Sequence, residues 1–497
     1  MPSARRWTLV ATIIGSSLAF VDTTVVNVAL PALQADLHAT ITDVQWVIEA
    51  YALFLGALIL VGGSMGDQFG RKRVFLAGVV LFTTASVLCG LAGSAHALIA
   101  GRALQGIGAA FLVPGSLAII SATFDEAERG RAIGTWSGFS AMTSAVGPIV
   151  GGWLIEHVSW RAVFFLNVPL AAAVVVLSWR FMTESRDPSR TGQIDWSGAA
   201  LAVLGLGGLV FALLEWPRLG AGGLVQAALA AGAGSLVLLV FVERRAPSPM
   251  LPLHLFRSRT FALTNVLTLL LYAAIGITLF IVPMNFIQVQ HYSATAAGAA
   301  FLPFSVIMFA LSRWSGGLVG RTGSRLPLTM GPIIAAIGLG LYARPAAGAS
   351  FWTTFFPAVV VLGFGMAVTV APLTTTVMSA VEREHAGVAS GVNNAVARVA
   401  GLLAIAVFGV LLVQTFDARV RARLERLDFT SPAWTAIDRE LPKMAGADVE
   451  AVPAIEQSKR RAARQAIDEA FVSAFRLVMM SAAVLALGGA IAGSLVR

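Results

Sequence analysis

The sequence predicts an all-α polytopic membrane protein of about fourteen transmembrane helices. Of the 497 residues, 57% are hydrophobic and only 12% are charged, whereas a soluble domain carries about 25% charged residues. The mean hydropathy is +0.80. Apolar runs alternate with charged or Pro/Gly-rich turns, and each run has roughly the 20 residues that a helix needs to cross ~30 Å of hydrocarbon. Lipid rather than water therefore surrounds most of this surface.

The apolar runs define the individual spans. They place S1 to S14 at residues 8–30, 46–66, 74–94, 97–121, 133–155, 160–182, 196–215, 221–242, 263–288, 298–319, 327–343, 352–376, 388–415 and 471–494. S1 is too long for the apolar region of a secretory signal and contains an acid, Asp22. It is therefore predicted to be a retained span.

The distribution of Lys and Arg predicts the orientation. With a cytoplasmic amino terminus, eighteen of these bases fall in inner segments and three, Arg161, Arg218 and Arg344, fall in short outer loops. We therefore expect a cell inner (cytoplasmic) membrane protein with both termini cytoplasmic. The segment 416–470 then lies outside, with ten bases and ten acids. A solvated helical cap or a mobile loop is favoured there over a recognition domain.

An internal repeat predicts the domain organisation. The stretch from Gly63 to Lys72 after S2 has a counterpart from Gly316 to Arg325 after S10, with both glycines and the final base in register. The simplest account is a first half at 1–190, an inserted hairpin of two spans at 191–258 and a second half at 259–497. Two parallel repeats around a cavity are a transporter architecture, which disfavours a passive channel.

Several motifs then occur in a fixed order along the chain. They are Asp22-Thr-Thr-Val-Val-Asn27-Val-Ala-Leu-Pro31 in S1, Gly63 to Arg73 after S2, Arg102-Ala-Leu-Gln105-Gly106-Ile-Gly108 in S4, Gly147-Pro148-Ile-Val-Gly151-Gly152 in S5, Trp160-Arg161 with Asn167-Val-Pro169 in S6, and Asp195-Trp196-Ser-Gly198 in S7. Together they resemble the fourteen-span drug:proton antiporter branch of the major facilitator superfamily (QacA/EmrB-like multidrug efflux transporters) over nearly the whole chain. The resemblance implies the major facilitator fold, with two six-helix bundles plus two inserted helices.

Two motifs are candidates for gating. The loop after S2 contributes Gly63, Asp67, Gly70, Arg71 and Lys72, and the resemblance implies that it latches the two halves in the outward-facing state. A simple topogenic turn is the alternative. In the second copy, Gly320 stands where Asp67 would be, so the latch is not symmetric.

The second gating motif interrupts S5. Gly147 and Pro148 free backbone groups that neighbouring helices must satisfy, and Gly151 and Gly152 continue a smooth face. The resemblance implies that the two halves bend against each other here and that the motif is associated with export. A kinked packing helix is compatible with either role.

Ionisable residues at membrane depth are candidates for proton coupling, because a charge there costs about 2.5–3.5 kcal/mol or more. We predict Asp22 as the principal proton carrier, Arg102 as the neighbouring base that promotes proton release, and Glu49 as a second acid. A structural ion pair between S1 and S4 is the alternative for Asp22 and Arg102. Glu49 could instead snorkel to the interface.

A multispecific substrate cavity should be apolar with a few polar handles. The candidates in the central spans are Tyr51, Phe54, Tyr272, Met284, Asn285, Gln288, Phe301, Met366, Asn393, Asn394 and Arg398. An interhelical clamp is the alternative for Arg398. Aromatic and Met side chains on a membrane helix also commonly face lipid or pack between helices.

These features predict proton-coupled efflux (antiport) of lipophilic, cationic or neutral drugs by alternating access. Export of one endogenous metabolite or lipid is the alternative. An enzyme is not expected, because Gly62-Gly63-Ser64-Met65-Gly66 ends a membrane span instead of forming a strand-to-helix elbow. We expect no cofactor beyond the proton gradient, no metal and no nucleic acid. The expected partners are a small-molecule substrate, protons and membrane lipids, and the expected state is a monomer.

Overall fold

The computed structural model describes residues 3–186, 194–246, 249–382, 386–450, 452 and 455–496, and these residues form helices joined by turns. In the first half and the hairpin, α1 is Ser3–Asp36, α2 Ile41–Phe69, α3 Arg71–Gly90, α4 Ala95–Thr123, α5 Glu126–His157, α6 Ala162–Phe165, α7 Asn167–Phe181, α8 Trp196–Leu219 and α9 Gly223–Arg245. In the second half, α10 is Arg259–Met284, α11 Ala294–Ala299, α12 Leu302–Gly316, α13 Leu318–Thr322, α14 Arg325–Tyr342, α15 Phe356–Ser379, α16 Ala386–Leu424, α17 Ser431–Glu440 and α18 Gln457–Ser494.

The predicted all-α membrane fold is confirmed. In the described part of the chain, thirteen segments are helical, long enough and apolar enough to cross a membrane, and they correspond to every predicted span except S5. S5 coincides with α5, a helix of 32 residues. The predicted span S10 is divided among α11, α12 and α13. The boundary predicted at residue 190 lies outside the described residues.

Polar side chains fix where several helices begin. Thr40 and Asp43 form a reciprocal capping box at the start of α2. Ser94, Asp195 and Ser258 accept backbone hydrogen bonds at the starts of α4, α8 and α10. These caps satisfy amide groups that would otherwise be left without partners at the membrane boundary.

Helix contacts hold each half together and join the two. Within the first half, α4 packs on α2 and α3, while α1 packs on α5 and α7. Within the second half, α14 packs on α15 and α18, and α10 packs on α16 and α18. The halves meet where α5 contacts α11 and α12, and where α2 contacts α16. The inserted α8 packs against both α2 and α16, beside this second contact.

The described residues of segment 416–470 form a helical cap. The helix α16 continues to Leu424, α17 follows, and α18 begins at Gln457, so both flanking helices extend well beyond the predicted spans. Ile437, Leu441 and Met444 are buried in this cap. The expected helical cap is therefore found, but it is not solvated on all sides, because these side chains join the main apolar core of the protein.

Candidate functional site

Asp22 and Arg102 form an ion pair inside the first half. A guanidinium nitrogen of Arg102 lies 2.5 Å from Oδ2 of Asp22, and both side chains are almost fully buried. The same nitrogen donates to Oε1 of Gln105 at 2.7 Å, while Nε2 of Gln105 donates to Oδ1 of Asp22 at 2.7 Å. Because Arg102 and Gln105 are three residues apart on α4, they present one face to α1.

Further groups complete this polar network. Nε of Arg102 donates to the Val47 carbonyl on α2 at 3.1 Å, and its guanidinium lies 4.3 Å from the ring centre of Tyr51. Asn167 on α7 donates to Asp22 at 3.4 Å and to Ser86 at 2.9 Å. Both carboxylate oxygens of Asp22 therefore accept hydrogen bonds, and the network ties α1, α2, α4 and α7 together. This is the geometry of the structural ion pair that the sequence left as an alternative.

Glu49 has the opposite environment. It lies on α2, is 0% exposed, and neither of its carboxylate oxygens has a hydrogen-bond partner among the described residues. The alternative that it snorkels to the interface does not fit this burial. Ionising a carboxyl that has no donor in an apolar setting costs several kcal/mol.

Glu49 lies on the face of α2 that contacts the second half. A Cβ added to Gly409 on α16 would meet the Gln45 amide, and one added to Gly56 would lie 3.7 Å from Cβ of Arg398. Glu49 follows Gln45 by four residues and precedes Gly56 by seven, so all three share one helix face. The unpartnered carboxyl is therefore located at the contact between the halves.

Arg398 is the basic residue on the opposite side of this contact. It is partly buried on α16 and makes no ion pair or hydrogen bond with a described residue. Gly56, which lies against Arg398, is seven residues and therefore roughly 10 Å along α2 from Glu49. The interface thus contains an acid and a base that are not paired with each other.

The predicted gating motif of S5 forms a close contact between the halves on the side of the cap. A Cβ on Gly152 would lie 2.5 Å from the Ala294 carbonyl oxygen, and one on Gly298 would meet the Pro148 carbonyl. On the other face, Gly147 and Gly151 lie against Thr24 and Val25 of α1. The glycines are needed here because any side chain would separate α5 from α11.

Two further groups of hydrogen bonds join the halves on this side. Glu156 at the end of α5 accepts from the Thr295 amide at 3.0 Å and from its hydroxyl at 2.6 Å. Gln288 donates to Gln34 at 2.8 Å, and Gln34 donates to the Lys443 carbonyl of the cap at 3.1 Å. The cap therefore covers a junction of the two halves.

The gating loop after S2 contacts its own half. Arg71 pairs with Asp67 at 2.8 Å, and the Lys72 ammonium donates to the Met182 carbonyl at 2.6 Å. Gly70 has φ +111°, and a Cβ there would lie within 3 Å of the Glu184 carboxylate. In the second copy, a Cβ on Gly320 would meet open space. In this conformation, these contacts hold the loop to the first half.

The predicted cavity residues have several different environments. Met284, Asn285 and Met366 are buried in the second half in this conformation. Gln288 belongs to the junction beneath the cap, and Asn393 is a clamp that donates to Asn265 and Thr268 on α10. Phe301 lines a small apolar pocket with Tyr342. Phe54, Tyr272 and Arg398 are partly buried, Asn394 is exposed, and Tyr51 lies beneath the Arg102 guanidinium.

Sequence reasoning assigned no role to several residues of these networks. Gln105 lies in the motif that begins at Arg102, and Asn167 lies in the motif that ends at Pro169. Their position in these motifs was the sequence signal that could have identified them. Gln34 and Glu156 lie at span ends, where polar residues are expected for solubility alone. Their partners are distant in sequence, so no local pattern pointed to them.

A comparison with protein families identifies the family of this chain. A family model described as Major Facilitator Superfamily matches residues 12–405. The chain belongs to the Major Facilitator Superfamily. It is a multi-pass membrane protein of a transporter family, as the repeat and the motifs predicted.

Relatives in this superfamily are resistance and export proteins. The chain is 34% identical over 421 residues to the "Multidrug resistance protein Stp" of Mycobacterium tuberculosis (strain CDC 1551 / Oshkosh), which covers 84% of this chain and 78% of the relative. It is 36% identical over 417 residues to the "Tetracenomycin C resistance and export protein" of Streptomyces glaucescens, covering 82% and 76% respectively.

A solved structure shows the same fold. A bacterial homolog of the human lysosomal transporter Spinster, crystallised in an inward-facing and occupied conformation, superposes with a TM-score of 0.66 at 16% identity. The match covers 100% of this chain and 97% of that chain. At this level of identity the likeness supports the fold alone.

Proposed function

We propose that the protein is a proton-driven exporter of lipophilic small molecules in the cytoplasmic membrane. It acts as a monomer by alternating access, with both termini cytoplasmic and with no cofactor besides the proton gradient. The observation that carries the proton coupling is the Glu49 carboxyl, which is fully buried without a partner at the contact between the halves. Relatives named for multidrug resistance and for export support the direction of transport.

In this proposal Glu49 replaces Asp22 as the principal proton carrier. Asp22 already has a cation and two amide donors, so a proton could reach it only if the network opened. Glu49 has no hydrogen bond to a described residue, so proton exchange at this carboxyl breaks none. A protonated, neutral Glu49 allows α2 and α16 to close on the outer side, whereas an ionised Glu49 makes that closed contact unfavourable.

The transport cycle follows from this switch. A substrate that enters from the cytoplasmic side of the cleft displaces the proton, and the ionised Glu49 then favours opening of the outer contact. Arg398 assists, because its unpaired positive charge stabilises the ionised carboxylate as the halves shift. Protonation from outside resets the closed contact. The glycines of S5 and the loop after S2 serve as the outer and inner closures in this scheme.

The substrate class follows from the composition of the interface. Phe54 and Tyr272 supply apolar and aromatic surface, while Asn394 and Glu49 supply polar groups. Such a site suits lipophilic neutral or cationic drugs. Export of one endogenous metabolite is the second candidate, because one relative carries the name of a single exported compound. A panel of unrelated lipophilic compounds distinguishes the two, since only a multidrug exporter would transport several.

Inverted membrane vesicles with an imposed pH gradient test the coupling. We expect Glu49→Gln to lose most of the gradient-driven uptake of a fluorescent lipophilic cation, yet to keep exchange of that cation across the membrane without a gradient. In the folded fraction of Asp22→Asn, uptake should still depend on the pH gradient. Glu425→Gln, an exposed acid of the cap, is the matched control. Gradient-driven uptake by Glu49→Gln at the wild-type rate would contradict the assignment.

A further inference from the structure

The inserted hairpin contains a pair of acids that the transport scheme does not use. Asp195 caps α8, where its Oδ1 accepts from the Gly198 amide at 2.7 Å and from the Ser197 hydroxyl at 2.8 Å. Glu243 is at the end of α9 and is only 3% exposed. The next two residues of α9, Arg244 and Arg245, are exposed. Glu243 therefore turns inward while its neighbours face the surroundings.

The two carboxyl groups meet at Gly198. A Cβ on Gly198 would lie 2.6 Å from Oδ2 of Asp195 and 3.0 Å from Oε1 of Glu243. These two oxygens are buried and have no hydrogen-bond donor among the described residues. Both oxygens therefore border the same small space beside Gly198. The glycine leaves the space in which they approach.

The second oxygen of Glu243 holds the linker to the second half. Its Oε2 accepts from the Leu251 amide at 3.0 Å. A short 3-10 helix, Leu253–Arg257, follows. The next residue, Ser258, caps α10 and donates to the Ala380 carbonyl at the end of α15 at 3.0 Å. The acid pair thus lies where the hairpin is fastened to the helices of the second half.

We propose that Asp195 and Glu243 form a proton-binding site in which one shared proton bridges the two carboxyls. Two ionised carboxylates at this distance repel each other, and one proton converts the repulsion into a hydrogen bond. With the orientation predicted by the Lys and Arg distribution, the site faces the cytoplasm. Loss of the proton at higher cytoplasmic pH separates the carboxyls and loosens the linker between the hairpin and the second half.

Other charged groups belong to the elements around this site. They are Asp67 on α2, Arg244 and Arg245 on α9, and His254 and Arg257 on the linker. Asp67 is already paired with Arg71. Arg244 and Arg245 of α9 are exposed, so we expect them to contact anionic lipid headgroups and not the buried carboxyls. The shared proton therefore remains the bridge that the geometry favours.

Thermal unfolding of the full-length protein in nanodiscs, measured from pH 5.5 to 8.5, tests the site. A shared proton is bound more tightly in the folded state than in the unfolded chain, so stability is highest at low pH and declines as pH rises. Glu243→Gln carries an amide that donates to Asp195 permanently. We expect this variant to lose the part of the pH dependence that comes from the pair, whereas Glu425→Gln should retain the wild-type profile.

Two more variants keep the test decisive. Asp195→Asn retains the oxygen that caps α8 and donates to Glu243, so it should flatten the same profile even if Glu243→Gln folds poorly. Gly198→Ala pushes the carboxyls apart and should lower the unfolding midpoint mainly at acidic pH. A wild-type slope in both amide variants would overturn the proposal. So would a midpoint that responds to added Ca²⁺ or to EDTA but not to pH, because a metal ion would then occupy the site.

Discussion

Asp22 and Glu49 are two acids at membrane depth in the same half, yet their surroundings are opposite. Asp22 accepts hydrogen bonds from Arg102, Gln105 and Asn167. Glu49 accepts none, although it is equally buried. Depth in the membrane makes an acid conspicuous in a sequence, but its partners decide what it can do. A fully bonded carboxylate stabilises a helix bundle, whereas an unpartnered one is free to exchange a proton when its surroundings change.

The two acids also differ in what they join. The Asp22 network connects four helices of one half, which move together in any rocking motion. Glu49 lies at the contact of α2 with α16, between the halves. A change of charge at Glu49 therefore acts directly on the relative position of the halves, while a change at Asp22 acts on the integrity of one of them.

The largest effect is expected when the buried ion pair is broken. Arg102→Met leaves Asp22 without its cation inside the first half, and breaking a buried pair from one side costs about 3–5 kcal/mol. We expect a marked loss of folded protein and a much lower unfolding midpoint. Thermal unfolding in detergent or nanodiscs measures this effect.

The double variant Asp22→Asn with Arg102→Met is the control. It removes both charges, so it should recover a large part of the stability lost in Arg102→Met. If the single variant unfolded at the wild-type temperature, the ion pair would not be structural, and Asp22 would again be the stronger candidate for the carrier.

The sequence was sufficient for the all-α membrane fold, because its apolar runs set the spans. It was not sufficient to tell Asp22 from Glu49, because the distinction depends on Asn167, 145 residues away from Asp22, and on the packing of α2 against α16. Long-range partners leave no periodic signal along the chain.

The same limit applies to the cavity and the cap. Met284 and Met366 lie in central spans, and the structure buries them within the second half. Whether such a side chain faces a cleft or a neighbouring helix depends on helix rotation, which composition does not determine. Ile437 and Met444 of the cap are buried with the main apolar core, although in the sequence they stand among many charged residues.

Replacing Glu49 with an apolar residue should change stability and transport in opposite directions. Glu49→Leu removes a buried polar group that has no partner, which should stabilise the fold by about 1–3 kcal/mol. Transport should fall at the same time, because the proton site is gone. Thermal unfolding and gradient-driven uptake, measured on the same preparation, report the two effects.

Such opposite changes distinguish a functional acid from a structural one. Gln45→Leu, one turn earlier on the same face, serves as the control for packing at this contact. A large loss of stability in Glu49→Leu would indicate a partner for Glu49 that contributes to folding, and the contrast with Asp22 would then disappear.

The smallest effect is expected at the edge of the Asp22 network. Asn167 is fully buried and donates to Ser86 at 2.9 Å and more weakly to Asp22 at 3.4 Å. Asn167→Leu removes both bonds but leaves Arg102 and Gln105 on the carboxylate, so a loss of about 1 kcal/mol in stability is expected. The dependence of uptake on the pH gradient should be unchanged. If Asn167→Leu altered the proton dependence without altering stability, the Asp22 network would take part in proton transfer, and its role would not be confined to holding the first half together.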